Sequence, residues 1–138
     1  MRCEHRHSVS VAGIVVDEQG RALLTRRRDN GHGEPPDGIF EIEETITDGV
    51  REETGLEVEL DSLTGVYTNM RPGIVALVFR CRVIGGSLQP TDEASDFIWA
   101  RGDQLGELVD EAYAVRVRDA LTDPLRPFLR EHDGVRLL

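Results

Sequence analysis

Residues 36–56 read PDGIFEIEETITDGVREETGL. A Gly/Pro/Asp turn opens the stretch, a band of carboxylates follows, and Thr54-Gly55 closes it. Asp37, Glu41, Glu43, Glu44, Asp48, Glu52 and Glu53 are acidic, and Arg51 is the one basic residue among them. Carboxylates packed this closely repel each other unless water or a cation screens them. The stretch is therefore either a solvated acidic helix or a site for a hard, oxygen-seeking cation such as Mg²⁺. The spacing predicts a helix from Glu44-Thr45 to about Thr54, with Thr45 or Thr47 as its cap and Gly55 as its stop.

The rest of the chain bounds what such a site can do. Its 138 residues suit one domain, 1–138, with a hydrophobic core. The net charge is -10, and all 16 basic residues are Arg. A duplex nucleic-acid binder normally presents a basic face, so that class is excluded. A small phosphorylated substrate is not, because metal ions and a local Arg patch offset the acidity. Cys3 and Cys81 have no spacing that suggests zinc or a disulfide framework. The leader MRCEHRH lacks a signal-peptide core and no run approaches a membrane span, so the expected location is cytoplasmic with no membrane partner.

Outward from the acidic stretch, SVSVAGIVV (8–16) reads as a strand and RALLTRR (21–27) as its return, with a Gly-ended turn between them. Arg26, Arg27 and Arg28 close that hairpin, and alternation sends at least one toward a cleft or core edge. An Arg fork there suits phosphate or carboxylate. Residues 29–38, rich in Gly and Pro, are a loop. On the other side, 56–69 reads as strand broken by a turn at Asp61-Ser62. IVALVFRCRVI (74–84) is a second strand whose alternation puts Phe79, Cys81 and Val83 on one face. Cys81 is then a packed thiol rather than a nucleophile. Residues 97–99 form a short strand, 103–108 a helical turn, 111–121 an amphipathic helix and 135–138 an edge strand. Strands, an acidic helix, more strands and a second helix give an α/β or α+β sandwich with a mixed central sheet.

The acidic stretch resembles the Nudix hydrolase motif. That pattern is Gly, five residues, Glu, seven residues, Arg-Glu, an apolar residue, any residue, Glu-Glu, any residue, Gly and an apolar residue. Gly38 and Glu44 fit its front half, and Glu52-Glu53-Thr54-Gly55-Leu56 fit its end. Pro36-Asp37-Gly38 stands where the family has Pro-Gly-Gly. The flanks match as well, with an Arg-rich strand before the motif and an acidic loop ahead of Trp99 after it. The two halves lie four residues too close together. Counted back from Gly55, the Arg-Glu pair falls on Asp48-Gly49. Losing four residues rotates the remainder by roughly 40° and shortens the helix by about 6 Å. Asp37, in place of a Gly, and Gly33, where relatives carry an aromatic residue, also depart from the pattern.

The resemblance implies a Nudix-type α/β/α sandwich and cleavage of the pyrophosphate in a nucleoside diphosphate linked to another group. Mg²⁺ or Mn²⁺ is the implied cofactor. Glu52 and Glu53 become metal ligands and catalytic residues, Asp48 a substitute for the third ligand, Glu44 a brace of loop and helix that belongs to the metal site, and the Gly38 carbonyl a further ligand. Arg27 is assigned to substrate phosphate and Glu41 to substrate binding. Glu93 is a candidate base or ligand, with a solvated loop carboxylate as its competing reading. A homodimer is a candidate assembly on resemblance alone. The alternative is a Nudix fold without pyrophosphohydrolase activity, used for ligand sensing, protein binding or other chemistry in a biosynthetic pathway.

Overall fold

A computed structural model describes residues 8–27, 42–92, 94–122 and 126–138. Strand β1 (Ser8–Val16) turns at Gly20 into β2 (Ala22–Arg27). Asp17 holds that turn, accepting from the backbone of Gln19 and Arg21 and pairing with the Arg21 guanidinium at 2.8 Å. Helix α1 (Ile42–Thr54) follows, then the long strands β3 (Leu56–Asn69) and β4 (Ile74–Gly86), and β5 (Ala94–Ala100). A 3-10 turn at Gly102–Gln104 leads into α2 (Leu105–Leu108), α3 (Glu111–Leu121) and β6 (Phe128–His132).

The six strands form one mixed sheet in the order β5-β2-β1-β4-β3-β6. β1 runs parallel to β4, and β3 parallel to β6; the other neighbours are antiparallel. Helices cover both faces, giving an α/β/α sandwich. On one face Ile46 of α1 packs with Val15, Leu23, Leu56, Val58 and Cys81. On the other, Ala114, Val115, Val117 and Ala120 of α3 pack on Ile14, Leu24, Tyr67 and Val78. Burial, with Asp61 nearby, pushes the Cys81 thiol up to about 12, so it packs as an inert side chain, as its alternation implied.

The join between β1 and β2 positions everything that follows. The two strands pair only at Val16 and Ala22, beside their turn. Beyond that point β1 follows β4 over its whole length, while β2 follows β5. The sheet therefore parts between Val11–Gly13 and Leu24–Thr25.

Several expectations need correcting. Helix α1 starts at Ile42, not at Glu44-Thr45, and neither threonine caps it. Thr47 is inside the helix, where its hydroxyl donates back to the Glu43 carbonyl at 2.9 Å. The Asp61-Ser62 pair does not break β3; it is a bulge in one continuous strand. The last strand is Phe128–His132, and residues 135–138 contribute only a bridge between Leu137 and His132.

Candidate active site

Helix α1 sits unusually close to the sheet. A Cβ on Gly13 of β1 would meet Ile46 Cγ2 at 2.6 Å and Cys81 Sγ at 2.8 Å, so only glycine allows this approach. The seating fixes which residues of α1 face inward. Thr45, Gly49 and Glu53, spaced i, i+4, i+8, line a cleft together with Ile46 and Val50. Glu43, Glu44, Asp48, Arg51 and Glu52 are exposed.

The C-terminal end of α1 is clasped by the segment before β5. Gly55 takes φ +81 and its N–H donates to the Arg51 carbonyl at 2.9 Å. A Cβ there would also meet the Ser87 carbonyl oxygen at 2.5 Å. The last carbonyls of a helix lack partners within it. Here the Thr91 hydroxyl donates to the Glu53 carbonyl at 3.0 Å, and the Gln89 N–H donates to the Thr54 carbonyl at 2.9 Å. Thr91 also accepts from the Ala94 N–H at 3.1 Å.

The cleft encloses about 870 Å³, within the ~300–1,000 Å³ usual for ligand sites. It runs through the parted sheet, with Val11–Gly13 and Leu24–Thr25 at its base. One wall is the Thr45–Gly49–Glu53 stripe of α1. The other is formed by residues 106–110 and Tyr113 of the α2–α3 corner.

Of the residues singled out from sequence, Glu53 lines the cleft and Glu52 is its exposed neighbour on the same helical turn. Glu44 lies in the exposed first turn of α1. Asp48 faces solvent and pairs with Arg51 at 2.7 Å. Arg27 ends β2, its backbone paired with Ala94 across a register shift and two residues beyond cleft-lining Thr25. Gly38, Glu41 and Glu93 lie outside the described residues. Sequence reasoning missed the whole α2–α3 wall, and no motif marks it.

Among the described residues no three His, Cys, Asp or Glu side chains converge as a metal cluster. Gly49 holds the cleft position where the family motif, counted back from Gly55, has a carboxylate, and nothing lies within 4 Å of a Cβ built there. Mg²⁺, however, needs only one or two protein carboxylates, completing its shell with water and substrate phosphates. The motif end offers two carboxylates, Glu53 lining the cleft and Glu52 exposed beside it. They sit in the last turn of α1, at the negative end of its dipole, where carboxylates are disfavoured.

Comparison with known proteins decides the family. Residues 6–122 match the model of the NUDIX domain. The chain belongs to the Nudix family. A MutT-like protein of Streptomyces ambofaciens is 50% identical over 136 residues, covering 96% of this chain and 88% of that protein. An ADP-ribose pyrophosphatase of Methanocaldococcus jannaschii is 35% identical over 100 residues, covering 64% of this chain and 59% of that protein. Among solved structures, an ADP-ribose pyrophosphatase of Streptococcus suis superposes with a TM-score of 0.68 at 18% identity, covering 88% of this chain and 97% of that one. A UDP-X diphosphatase superposes with a TM-score of 0.70 at 20% identity, covering 93% and 69%. At these identities the structural matches establish the Nudix fold alone.

Proposed function

We propose that this Nudix protein hydrolyses the pyrophosphate of a nucleoside diphosphate linked to a second group, in the cleft between α1 and the α2–α3 corner. One observation carries the reading: the closing Glu-Glu of the motif survives, and the seating of α1 turns Glu53 into a cleft of nucleotide size. The names of the archaeal relative and of the two structural neighbours point to the same class of linkage.

In this reading Glu52 and Glu53 would hold Mg²⁺ or Mn²⁺. A divalent ion held there would supply charge to neutralise the phosphoryl oxygens and would lower the pKa of the attacking water. Water adds to one phosphorus, the P–O–P bridge breaks, and the bridging oxygen leaves on the other phosphate. A carboxylate of the chain accepts the water's proton; Glu53 lies in the cleft for that role, and Glu93 is the second candidate. Arg27 is assigned to a substrate phosphate, Gly38 and Glu41 to the entry loop's contacts with ion and substrate, and Glu44 to bracing that loop. Asp48 joins the ion only by releasing Arg51, and an exposed pair of that kind is worth at most about 1 kcal/mol.

The competing reading, a Nudix fold without hydrolysis, is favoured by one observation, Gly49 in place of a third carboxylate. The two separate in one assay. The purified protein is incubated with ADP-ribose, NADH and a nucleoside triphosphate, with and without Mg²⁺. Release of a nucleoside monophosphate that depends on the ion supports hydrolysis, and no turnover on such a panel supports the competing reading.

A further inference from the structure

The carbonyls at the end of α1 are met in two different ways. Those of Arg51 and Thr54 accept from backbone, the N–H groups of Gly55 and Gln89, each at 2.9 Å. The Glu53 carbonyl accepts from a side chain, the Thr91 hydroxyl at 3.0 Å. Pro90, just before Thr91, has no N–H to give. A backbone donor is supplied by almost any residue, but a hydroxyl is supplied by this threonine.

A hydroxyl carries one proton and two acceptor lone pairs. The Thr91 proton goes to Glu53, and a lone pair accepts from the Ala94 N–H at 3.1 Å. The Thr91 N–H donates in turn to the Ala94 carbonyl at 2.8 Å. Thr91 and Ala94 are thus joined by two bonds running in opposite directions. Ala94 is 1% exposed, and it opens β5 opposite Arg27, the last residue of β2. One side chain therefore ties α1 at Glu53 to β5 at Ala94 and, through the β2–β5 ladder, to the end of β2.

Placement matters at this point because Glu53 lines the cleft from the last turn of α1, and helix ends fray. A carboxylate that ligates an ion or accepts a proton works only when held within about 0.5 Å of its productive position. Resting on the hydrolase reading above, we propose that Thr91 is a positioning residue for the reaction: its hydroxyl holds the last turn of α1 so that Glu53 stays directed into the cleft, in fixed relation to the end of β2. Thr91 is not among the residues lining the cleft, so it acts through Glu53.

The test compares wild type, Thr91→Val, Thr91→Ser, Glu53→Gln and the Thr91→Val/Glu53→Gln double variant. Mn²⁺ is titrated without nucleotide, and Mg²⁺-dependent hydrolysis of ADP-ribose is followed for kcat and KM. All readings are taken well below the thermal midpoint of the least stable protein, so that loss of folded protein does not enter. Valine keeps the shape of threonine without the hydroxyl, and serine keeps the hydroxyl. Thr91→Val is expected to weaken Mn²⁺ binding and to lower kcat by up to roughly a hundredfold, the scale for a misplaced reacting group, with little change in KM. Thr91→Ser stays close to wild type in both. In the Glu53→Gln background, Thr91→Val lowers neither any further. A purely structural cap would lower the thermal midpoint alone, or would have the same effect in both backgrounds. The proposal is overturned if Thr91→Val leaves both Mn²⁺ affinity and kcat unchanged, if serine fails to restore them, or if the valine effect is equal with and without Glu53. The two readings fail separately. A Glu53-dependent loss of Mn²⁺ in Thr91→Val, in a protein whose wild type hydrolyses nothing, retains the positioning role and rejects hydrolysis. Wild-type turnover that valine leaves intact, with Mn²⁺ affinity intact, does the reverse. A wild type that neither binds Mn²⁺ nor turns over rejects both.

Discussion

Glu53 and Glu52 are adjacent in sequence but about 100° apart around α1, and only Glu53 lines the cleft. Gly49, one turn before Glu53, lines the cleft without a side chain. In the proposed reading, that pattern makes an ion's hold on this protein depend on the substrate's phosphates. Gly49→Glu is expected to add the missing carboxylate at i relative to Glu52 at i+3 and Glu53 at i+4. Open space surrounds the position, and replacing a helical glycine stabilises α1 by about 0.5–1 kcal/mol. Mn²⁺ affinity, read by titration without nucleotide, should rise roughly tenfold through the added ligand charge. An unchanged affinity would place the ion elsewhere. The acidic density of this region was legible in sequence. Which carboxylate faces inward was not, because it depends on Ile46 settling over Gly13 from a distant strand.

At the scale of elements, the Gly55 stop was legible because a left-handed C′ residue has a sequence signature. Its link to residues 87–91 was not, because that contact is tertiary. Gly55→Ala places a side chain at φ +81 against the Ser87 carbonyl. It should cost at least about 2 kcal/mol, since the left-handed conformation alone costs about 1–2 kcal/mol. The expected readout is a lower thermal midpoint together with weaker Mn²⁺ binding, as the clasp that positions Glu53 loosens; an unchanged midpoint would contradict this. The misread strands have specific causes. In β3, Asp61 is the extra residue between the Leu60–Cys81 and Ser62–Arg80 pairs, and it bonds Arg80 at 2.7 Å across the bulge. Polarity that looked like a turn is a cross-strand ion pair. In β6 the alternation is inverted: Leu129 is 81% exposed, while Arg130 and His132 turn inward. Arg130 grips Asp119 with two hydrogen bonds at 2.7 and 2.9 Å, and the Tyr67 hydroxyl donates to the same carboxylate at 2.6 Å. A strand that places its charges inside cannot be found by apolar periodicity.

Across the whole molecule, that polar cluster ties the last strand to α3 and sets a pH dependence. His132 is buried, its Nδ1 accepts from the Gly134 N–H, and its Nε2 lies 3.1 Å from the Arg116 guanidinium. Burial first, then the Arg116 charge, lowers its pKa from 6.5, with Asp133 opposing weakly. Below 6.5 the unfolded chain therefore binds a proton that the folded chain resists, and stability falls as pH drops through that point. Asp17, also lowered, loses its contribution only as pH falls below 3.8. Thermal midpoints should decline between about pH 7 and 5, and His132→Gln should flatten that decline; an equal slope in the variant would exclude His132 as its source.

The parted sheet is the feature that makes a site of this fold, because it lets a cleft pass between β1 and β2 with α1 on one side and α3 on the other. The strand order and this parting follow from pairings too distant in sequence to read locally. The motif ends, by contrast, were enough to identify the family. The most direct test of the account is Mg²⁺-dependent hydrolysis of ADP-ribose by the wild type, Glu52→Gln and Glu53→Gln proteins, followed as AMP released per minute. The account predicts measurable turnover by the wild type, a loss of about 10²–10⁴-fold in Glu53→Gln and a clear loss in Glu52→Gln. Undiminished turnover in both variants would contradict it.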